Sequence, residues 1–257
     1  MSVISETSER ILEAYETGKP IAPVRDRIRD IPDAYAVQQA CVGAWLKRGR
    51  KIAGQKIGLT SKAVQAQFGV SEPDFGVLFA DMILDDGAEV GWGKVLQPRV
   101  EGELAFVLKS DLKGERLSAE DVINATEYVS PAIEICGSRI AGWDIRLADT
   151  ISDNASSGLV VLGQARIGPV LDDLPLVSMT VRHDGATAAE GRGEACLGNP
   201  AVAVAWLGEM LTRFGGGLRA GDIVMSGALA KMIDARPGNE FVADFGSLGT
   251  VRVLFGR

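Results

Sequence analysis

From Phe75 to the C-terminal end, the sequence consists mainly of short apolar runs of the kind that form β-strands. These runs are FGVLFADMIL, VEGELAFVL, SPAIEICG, GLVVLG, VSMTVRHDGATAAEG, DIVMSGAL and GTVRVLFG. Two predicted helices interrupt them: Ser118 begins one, with Asp121 three residues later, and Asn199 with Pro200 begins the other. Strands and helices in this order do not repeat a βαβ pattern, so the sequence predicts an α+β fold.

The N-terminal third is helical in pattern. Apolar residues recur at helical spacing in two segments, at Ile4, Ile11, Leu12 and Tyr15 and at Ala34, Val37, Cys41 and Trp45. A strand through IAGQKIGL and a short helix from Ser61 are predicted to follow. We therefore expect an N-terminal helical portion at residues 1–70 and a β-rich catalytic core at residues 71–257, which together form one functional unit.

Composition excludes several classes of protein. The net charge of −7 disfavours binding to nucleic acids or anionic membranes, since both require basic patches. No apolar run approaches the roughly 20 residues of a membrane helix, and the first ten residues lack the pattern of a signal peptide. We expect a cytoplasmic protein. The three cysteines, Cys41, Cys136 and Cys196, are too few and too widely spaced for a disulfide framework, and we interpret them as small buried apolar residues.

The chain contains a single histidine, His183. One imidazole cannot form a zinc site that depends on several histidines, so any bound metal must be held mainly by oxygen ligands. Oxygen ligands favour Mg²⁺ or Mn²⁺ in a site with few protein groups.

Two glutamates lie inside the apolar run VEGELAFVL. Glu101 and Glu103 alternate with apolar residues, so both side chains point to one face of a strand, roughly 6 to 7 Å apart. Glu134 occupies a similar position between two isoleucines in SPAIEICG. Exposed strand faces often carry glutamate, which leaves a solvated face as the alternative. A divalent cation would compensate all three acids at once.

Three further polar residues stand beside apolar runs. Lys56 lies between Gly54 and Gly58, where a ligand could approach the backbone closely. Asp74 precedes a strand, and Ser156 lies in the polar segment DTISDNASS before another. Each has a simpler explanation, as a surface lysine, a turn-forming aspartate and a loop-capping serine. Near a metal and an anion, they could instead transfer protons or bind a carboxylate.

With these residues in place, the chain resembles the 2-hydroxypenta-2,4-dienoate hydratases (2-keto-4-pentenoate hydratases) of the fumarylacetoacetate hydrolase superfamily. The resemblance extends over seven ordered blocks: KIGLTSKAVQAQFGV, EPDFGVLFADM, PRVEGELAFVL, PAIEICGSRI, DTISDNASSGLVVLG, GNPAVAVAWL and GDIVMSGAL. It implies a mixed-sheet β-roll core, a homo-oligomer and an association with the downstream aldolase. It also implies that Glu101, Glu103 and Glu134 hold Mg²⁺ or Mn²⁺, with Lys56, Asp74 and Ser156 as catalytic residues.

One block departs from the family pattern. Many relatives read Val-Asp-Ser-Arg-Ile after the third glutamate, whereas this chain reads Cys136-Gly137-Ser138-Arg139-Ile140. The family's usual aspartate is therefore replaced by Gly137. If that acid orients the metal ligands or the substrate, the substrate or the reaction differs from the family type.

The resemblance implies hydration of a small anionic 2-hydroxy-2,4-dienoate to a 4-hydroxy-2-oxo acid in meta-cleavage catabolism of aromatic compounds. The alternative is a decarboxylase of the 4-oxalocrotonate type, which shares the metal site and the dienol. Hydrolysis of a carbon–carbon bond is less favoured, since the superfamily's hydrolases use a histidine near the start of the chain. An alternative of another class is a non-catalytic, metal-stabilised oligomer that binds oxo acids.

Overall fold

Two helices at the N-terminus precede a β-rich region in the computed structural model, which describes residues 2–61, 65, 70 and 72–257. The helices in these residues are α1 (Val3–Thr17), α2 (Ile31–Lys47), α3 (Ala119–Ala125), α4 (Leu147–Ser152) and α5 (Pro200–Arg213). The short helix predicted from Ser61 extends into residues 62–64 and 66–69, which lie outside the described residues. Within the described residues, no helix combines the length and apolar character required to cross a bilayer.

The strands form two mixed sheets. In chain order they are β1 (Ile52–Gly58), β2 (Asp74–Phe79), β3 (Ile83–Asp85), β4 (Ala88–Val90), β5 (Arg99–Leu108), β6 (Thr126–Cys136), β7 (Leu159–Leu162), β8 (Ser178–His183), β9 (Ala186–Arg192), β10 (Ile223–Met225), β11 (Ile233–Asp234), β12 (Glu240–Asp244) and β13 (Thr250–Phe255). The larger sheet has the order β2-β1-β10-β5-β6-β7-β3, with β11 paired to β5, and the smaller has the order β4-β13-β12-β8-β9.

The local signals for helix starts and for one hairpin are confirmed. Ser118 caps α3, and its backbone N–H donates to the carboxylate of Asp121. Asn199 caps α5, with Pro200 as the first helical residue. Asp184-Gly185, a dipeptide that predicts a hairpin turn within the run VSMTVRHDGATAAEG, connects β8 to β9, and both residues have positive φ, as a tight hairpin turn requires.

The run FGVLFADMIL forms two strands where one was expected. A 3₁₀ turn at Ala80–Met82 ends β2 at Phe79, and β3 then begins at Ile83. These two strands lie at opposite edges of the larger sheet. Alternation of apolar residues continues through the run, so it does not reveal the change of direction.

The smaller sheet packs on the face of β5 opposite to Glu101 and Glu103. A Cβ atom placed on Gly102 would lie 2.7 Å from Sδ of Met179 in β8, so glycine at this position permits close approach of the two sheets. Buried residues of both N-terminal helices and of both sheets belong to one apolar cluster. Strand β1 lies between β2 and β10, although it falls within the predicted N-terminal portion. The boundary at residue 70 stays a prediction.

Candidate metal and active site

The three glutamates lie on neighbouring strands. Strands β5 and β6 pair antiparallel over their length, with Glu101 directly opposite Glu134 and Glu103 opposite Ala132. Side chains at directly opposed positions lie within contact distance, so the sheet itself brings Glu101 and Glu134 together. All three acids are buried, with Glu103 and Glu134 fully inaccessible to solvent. A solvated strand face is therefore excluded for these residues.

Several oxygens of this cluster lack a hydrogen-bond donor. Oε2 of Glu103 accepts a hydrogen bond from the backbone N–H of Gly227 at 2.9 Å. Oε1 of Glu103 and both oxygens of Glu134 have no hydrogen-bond partner. Carboxylate oxygens buried without donors are costly unless a cation compensates them. The arrangement thus fits a divalent cation by both its donor chemistry and its unused acceptors.

Lys56 supplies a positive charge beside the carboxylates. Its Nζ lies 3.3 Å from Oε1 of Glu134, an ion pair whose angles do not meet those of a hydrogen bond, and donates to the carbonyl of Ala155 at 2.9 Å. Burial lowers the pKa of Lys56, but nearby acids, Glu134 above all, outweigh burial and hold its pKa well above the ordinary value. These acids thus favour the charged form of Lys56, and its burial, at 3% exposure, excludes the surface-lysine alternative.

Burial shifts the carboxyl groups in the opposite sense. It raises the pKa of Glu101 to about 7, with a further upward contribution from Glu134 and a downward one from Lys56. The pKa of Glu103 is raised well above its usual value, first by burial and then by Glu134 and Glu101. Burial also raises the pKa of Glu134, against the lowering effect of Lys56. One lysine does not offset three buried acids, so the cluster attracts further positive charge.

Asp74 and Ser156 are joined through a threonine that the sequence did not single out. Thr150 donates to Oδ2 of Asp74 at 2.9 Å, and its Oγ1 lies 3.3 Å from Oγ of Ser156. Oδ1 of Asp74 has no hydrogen-bond partner. A Cβ on Gly58 would lie 2.2 Å from this oxygen and 3.3 Å from Nζ of Lys56, so glycine there leaves space for both groups.

The segment that carries Ser156 has an unusual backbone. Asn154, Ala155 and Ser156 have φ values of 54°, 52° and 52°. Non-glycine residues in this region cost of order 1–3 kcal/mol each and persist only where other contacts hold them. The side chain of Asn154 supplies two such contacts, one to the N–H and one to the carbonyl of Val77. This backbone directs the carbonyl of Ala155 toward Lys56.

A buried ion pair holds the start of this segment. Asp153 accepts hydrogen bonds from Nε of Arg139 at 2.5 Å and from its backbone N–H at 2.9 Å. The guanidinium also donates to the carbonyls of Asp153 and Ser157. Burial raises the pKa of Asp153 to about 6, although Arg139 acts in the opposite direction. Asp153 is thus a structural partner of Arg139.

A pocket opens above the carboxylates. Lys56, Asp74, Glu101, Thr150, Ser156 and Cys136 contribute polar atoms to it. The rest of its wall is largely apolar and includes Leu59, Trp143, Ile145 and Met232. Glu103 and Glu134 do not line this pocket and lie deeper in the protein. Four of the six predicted site residues therefore line the pocket, and the other two, Glu103 and Glu134, belong to the buried cluster beside it. Their individual roles stay predictions.

Sequence reasoning missed Cys136. One ligand atom from each of Glu101, Glu134 and Cys136 lies within 4.8 Å of the other two, and within the described residues Glu103 is not part of this group. Cys136 follows Glu134 by two residues in β6, and this spacing alone places both side chains on one face of the strand. Cys136 is buried, as the sequence predicts, but it lies beside two carboxylates and is not surrounded by apolar residues alone.

Gly137 accepts no larger side chain in this arrangement. A Cβ at this position would lie 2.5 Å from Cγ1 of Val95 and 3.1 Å from a guanidinium nitrogen of Arg139. The glycine lies immediately after β6, and its N–H donates to the carbonyl of Ser156 at 2.9 Å. The departure from the family pattern is therefore accommodated by close packing of Val95 and not by an open space.

Comparisons with known proteins identify the family of this chain. The family model described as fumarylacetoacetate (FAA) hydrolase C-terminal matches residues 50–255. The chain is 49% identical to 2-keto-4-pentenoate hydratase 2 of Dechloromonas aromatica, over 93% of this chain and 92% of the relative. It is 39% identical to 2-hydroxyhexa-2,4-dienoate hydratase of Comamonas testosteroni, over 98% and 97% of the two chains.

A solved structure gives the same result for the fold. The 4-oxalocrotonate decarboxylase of Pseudomonas putida G7, complexed with magnesium and adipate, superimposes with a TM-score of 0.93 at 32% identity, covering 98% of this chain and 97% of that one. This match confirms the α+β fold with a mixed-sheet core and N-terminal helices. The chain belongs to the 2-keto-4-pentenoate hydratase family within the fumarylacetoacetate hydrolase superfamily.

Proposed function

We propose that this protein adds water to a 2-hydroxy-2,4-dienoate and forms a 4-hydroxy-2-oxo acid, a step in meta-cleavage catabolism of aromatic compounds. The observation that carries the proposal is a buried set of carboxylates with unpartnered oxygens beside a small pocket that is lined by both polar and apolar side chains. The sequence identity to hydratases named for these substrates supports it.

Glu101, Glu134 and Glu103 would hold a divalent cation, Mg²⁺ or Mn²⁺. Glu101 faces the pocket, and the unused oxygens of Glu134 and Glu103 lie below it. When bound, the cation would supply Lewis acidity that stabilises negative charge on the oxygens of the substrate.

The chain's own residues must move two protons. A dienol does not add water at C4 until it becomes the conjugated ketone, so the 2-hydroxyl group loses a proton and C5 gains one. The hydroxyl group of water then adds at C4 and a proton at C3, which consumes one water molecule. A group that accepts and returns protons beside the substrate serves both steps.

Asp74 and Lys56 fit this requirement in different ways. Oδ1 of Asp74 is unpartnered and adjoins the space above Gly58, so it is free to exchange a proton with a bound molecule. Nζ of Lys56 adjoins the same space and carries positive charge that attracts an anionic substrate. We assign proton exchange to Asp74 and charge stabilisation to Lys56.

Ser156 would bind the substrate's carboxylate or position water. Its hydroxyl lies at the pocket wall and is linked to Asp74 through Thr150. This chain of hydroxyl groups keeps Oδ2 of Asp74 occupied and thereby leaves Oδ1 as the oxygen that faces the substrate.

The second candidate is decarboxylation of a 2-oxo-3-enedioate, which the similarity to the 4-oxalocrotonate decarboxylase supports. Such a substrate carries a second carboxylate that needs a cation at the far end of the pocket. Among the described residues that line the pocket, Lys56 is the single cationic side chain, and the lining also includes the apolar residues Trp143, Ile145 and Met232. An apolar wall favours the monocarboxylate, and hence the hydratase.

The test compares the two reactions and the metal requirement. Metal-free protein is mixed with 2-hydroxypenta-2,4-dienoate, with and without Mg²⁺ or Mn²⁺, and loss of the dienoate's absorbance is followed. We expect turnover that depends on the cation, is lost in Glu134→Gln and is retained in Glu127→Gln, an exposed glutamate of the same strand.

Three results would contradict the proposal. Full turnover after removal of divalent cations, or in Glu134→Gln, would remove the metal site from the reaction. Release of CO₂ from 4-oxalocrotonate that exceeds hydration of the dienoate would favour the decarboxylase. Binding of oxalate without turnover across a panel of dienoates would favour the non-catalytic binding protein.

We also infer from the family that the chain forms a homo-oligomer and associates with the aldolase that cleaves its product. Light scattering of the purified protein, alone and mixed with that aldolase, tests both inferences. A monodisperse monomer would contradict the first, and unchanged mass on mixing would contradict the second.

A further inference from the structure

Cys136 lies beside the carboxylate cluster, where its sulfur could contact a bound ion. It occupies the last position of β6, two residues after Glu134, and is 3% exposed. Its Sγ lies 3.6 Å from Oε2 of Glu101. Unlike Glu134, it lines the pocket, so it stands on the side of the carboxylate cluster from which a ligand enters.

Independent evidence for a ligand comes from the neighbouring glutamate. Both oxygens of Glu134 are fully buried, without a hydrogen-bond partner, and one ligand atom from each of Glu101, Glu134 and Cys136 lies within 4.8 Å of the other two. Ligand distances of roughly 2.0–2.3 Å place two ligands of one ion at most about 4.6 Å apart, so small side-chain movements are enough to bring the three atoms onto a single ion. By contrast, one oxygen of Glu103 is already occupied by the N–H of Gly227.

We propose that Cys136 is a sulfur ligand of the divalent cation in this site, in addition to the carboxylates of the proposed function, and that it lies nearest to Glu101 and Glu134. The proposal rests on the divalent-cation site of the proposed function. As the metal–sulfur bond forms, the thiol loses its proton to solvent, so one proton is released for each ion bound through sulfur. No oxidant or other reactant is needed.

A sulfur ligand changes which ions the site prefers. Carboxylate oxygens suit Mg²⁺ and Mn²⁺, whereas thiolate sulfur favours softer ions such as Co²⁺, Zn²⁺ and Cd²⁺. The site therefore selects such ions over Mg²⁺ more strongly than a site made of carboxylates alone. The predicted preference for Mg²⁺ or Mn²⁺ rests on a site made of oxygen ligands.

The test uses Co²⁺, whose bonds to sulfur absorb in the near ultraviolet, separately from its weaker visible bands. The full-length protein is freed of metal and titrated with Co²⁺ in the wild type, Cys136→Val, Cys136→Ser and the control Cys41→Val. Cys41 is also buried, but its sulfur contacts the carbonyl of Ser8, away from the pocket. Valine is apolar and about one methyl group larger than cysteine, so the two valine variants carry the same change in volume, whereas Cys136→Ser removes the sulfur without adding volume.

We expect a sulfur-to-cobalt absorption band in the wild type and in Cys41→Val that is absent from both Cys136 variants. Competition between Cd²⁺ and Mg²⁺, followed by the shift in Tm, measures the ion preference. The ratio of Cd²⁺ to Mg²⁺ affinity should fall about 10- to 100-fold in Cys136→Val.

Different results would contradict the role of Cys136 and the metal site itself. Visible cobalt bands without the ultraviolet band in the wild type would overturn the role of Cys136 and leave the carboxylate site and the proposed function intact. An ultraviolet band that persists in a folded Cys136→Val would likewise overturn it. Absence of any change in Tm or absorption with Co²⁺, Cd²⁺, Mg²⁺ or Mn²⁺ would refute the metal site itself, and with it the proposed function.

Discussion

The ion pair between Arg139 and Asp153 is expected to be essential for stability, and Asp153→Asn is the change that tests it. Arg139 is 2% exposed and Asp153 is fully buried. Four hydrogen bonds join the arginine to the segment after α4: two to the Asp153 carboxylate, one to its carbonyl and one to the carbonyl of Ser157. Removing one partner leaves the other charge buried and uncompensated.

The expected cost follows from this burial. Loss of one member of a buried ion pair destabilises a protein by about 3–5 kcal/mol. For a chain of this size, that loss lowers Tm by roughly 6–20 °C. Arg139→Met and Asp153→Leu should each cost a similar amount, whereas the double variant that combines these two substitutions should lose less than the sum of the two single losses, because no charge remains unpaired.

Urea denaturation of metal-free protein at about pH 8, where Asp153 with its pKa of about 6 is ionised, measures these free energies of unfolding. Glu16→Gln is the matched control, since Glu16 pairs with Arg48 at the surface and both side chains are more than half exposed. It should change stability by at most about 1 kcal/mol. A loss below about 1 kcal/mol in Asp153→Asn, or strictly additive losses in the double variant, would refute the reasoning.

Three further outcomes are expected. Lys56→Met should lower turnover at least about 100-fold. The rise in Tm on adding Mg²⁺ should stay the same or increase in this variant, because the metal ion replaces Lys56 as the cation beside Glu134. A smaller rise in Tm than in the wild type would contradict this expectation. Gly58→Ala should lower kcat, since the Cβ of alanine would displace Oδ1 of Asp74, and it should change Tm by no more than a few degrees. Unchanged kinetics would show that this oxygen takes no part in the reaction. Because burial raises the pKa of Glu101 to about 7, the metal-free fold keeps a proton that the unfolded chain releases, and its stability falls as pH rises from about 4.5 to about 7. Bound metal displaces this proton, so thermal scans should show an Mg²⁺-induced rise in Tm that grows from about pH 5 to about pH 8, and an equal rise at both pH values would be inconsistent with that assignment.

Local patterns predicted much of the fold. Ser118, Asn199 and the pair Asp184-Gly185 marked element boundaries correctly, because capping and hairpin turns depend on residues that are close in sequence. The short strands β4 and β11 and the pairing order of the sheets were not predicted, because they depend on contacts between distant residues. The split between β2 and β3 was missed for the same reason.

In the candidate site too, features that depend on nearby residues were predicted and features that depend on the tertiary fold were not. Periodicity placed Glu101 and Glu103 on one face, and the unexpected acid in the next apolar run indicated Glu134. Whether that face was buried depended on the packing of the whole sheet, and sequence alone left a solvated face open. Thr150 was missed because its hydroxyl reaches Asp74 only through the tertiary fold. Cys136 could have been found from its spacing to Glu134.

Pairing between β5 and β6 runs in regular register from Arg99 opposite Cys136 to Val107 opposite Tyr128, and its one irregularity lies beyond the site, at Leu108. The carboxylates are thus set by backbone hydrogen bonds in the interior of a sheet, whereas residues 153–157 and the Gly58 end of β1 shape the space above them. Substitutions in these loop residues could therefore change which molecule binds in the pocket, while the carboxylates of β5 and β6 keep their positions. In such a protein, the residues that bind the oxygens of the substrate are separate from the residues that determine which substrate is accepted.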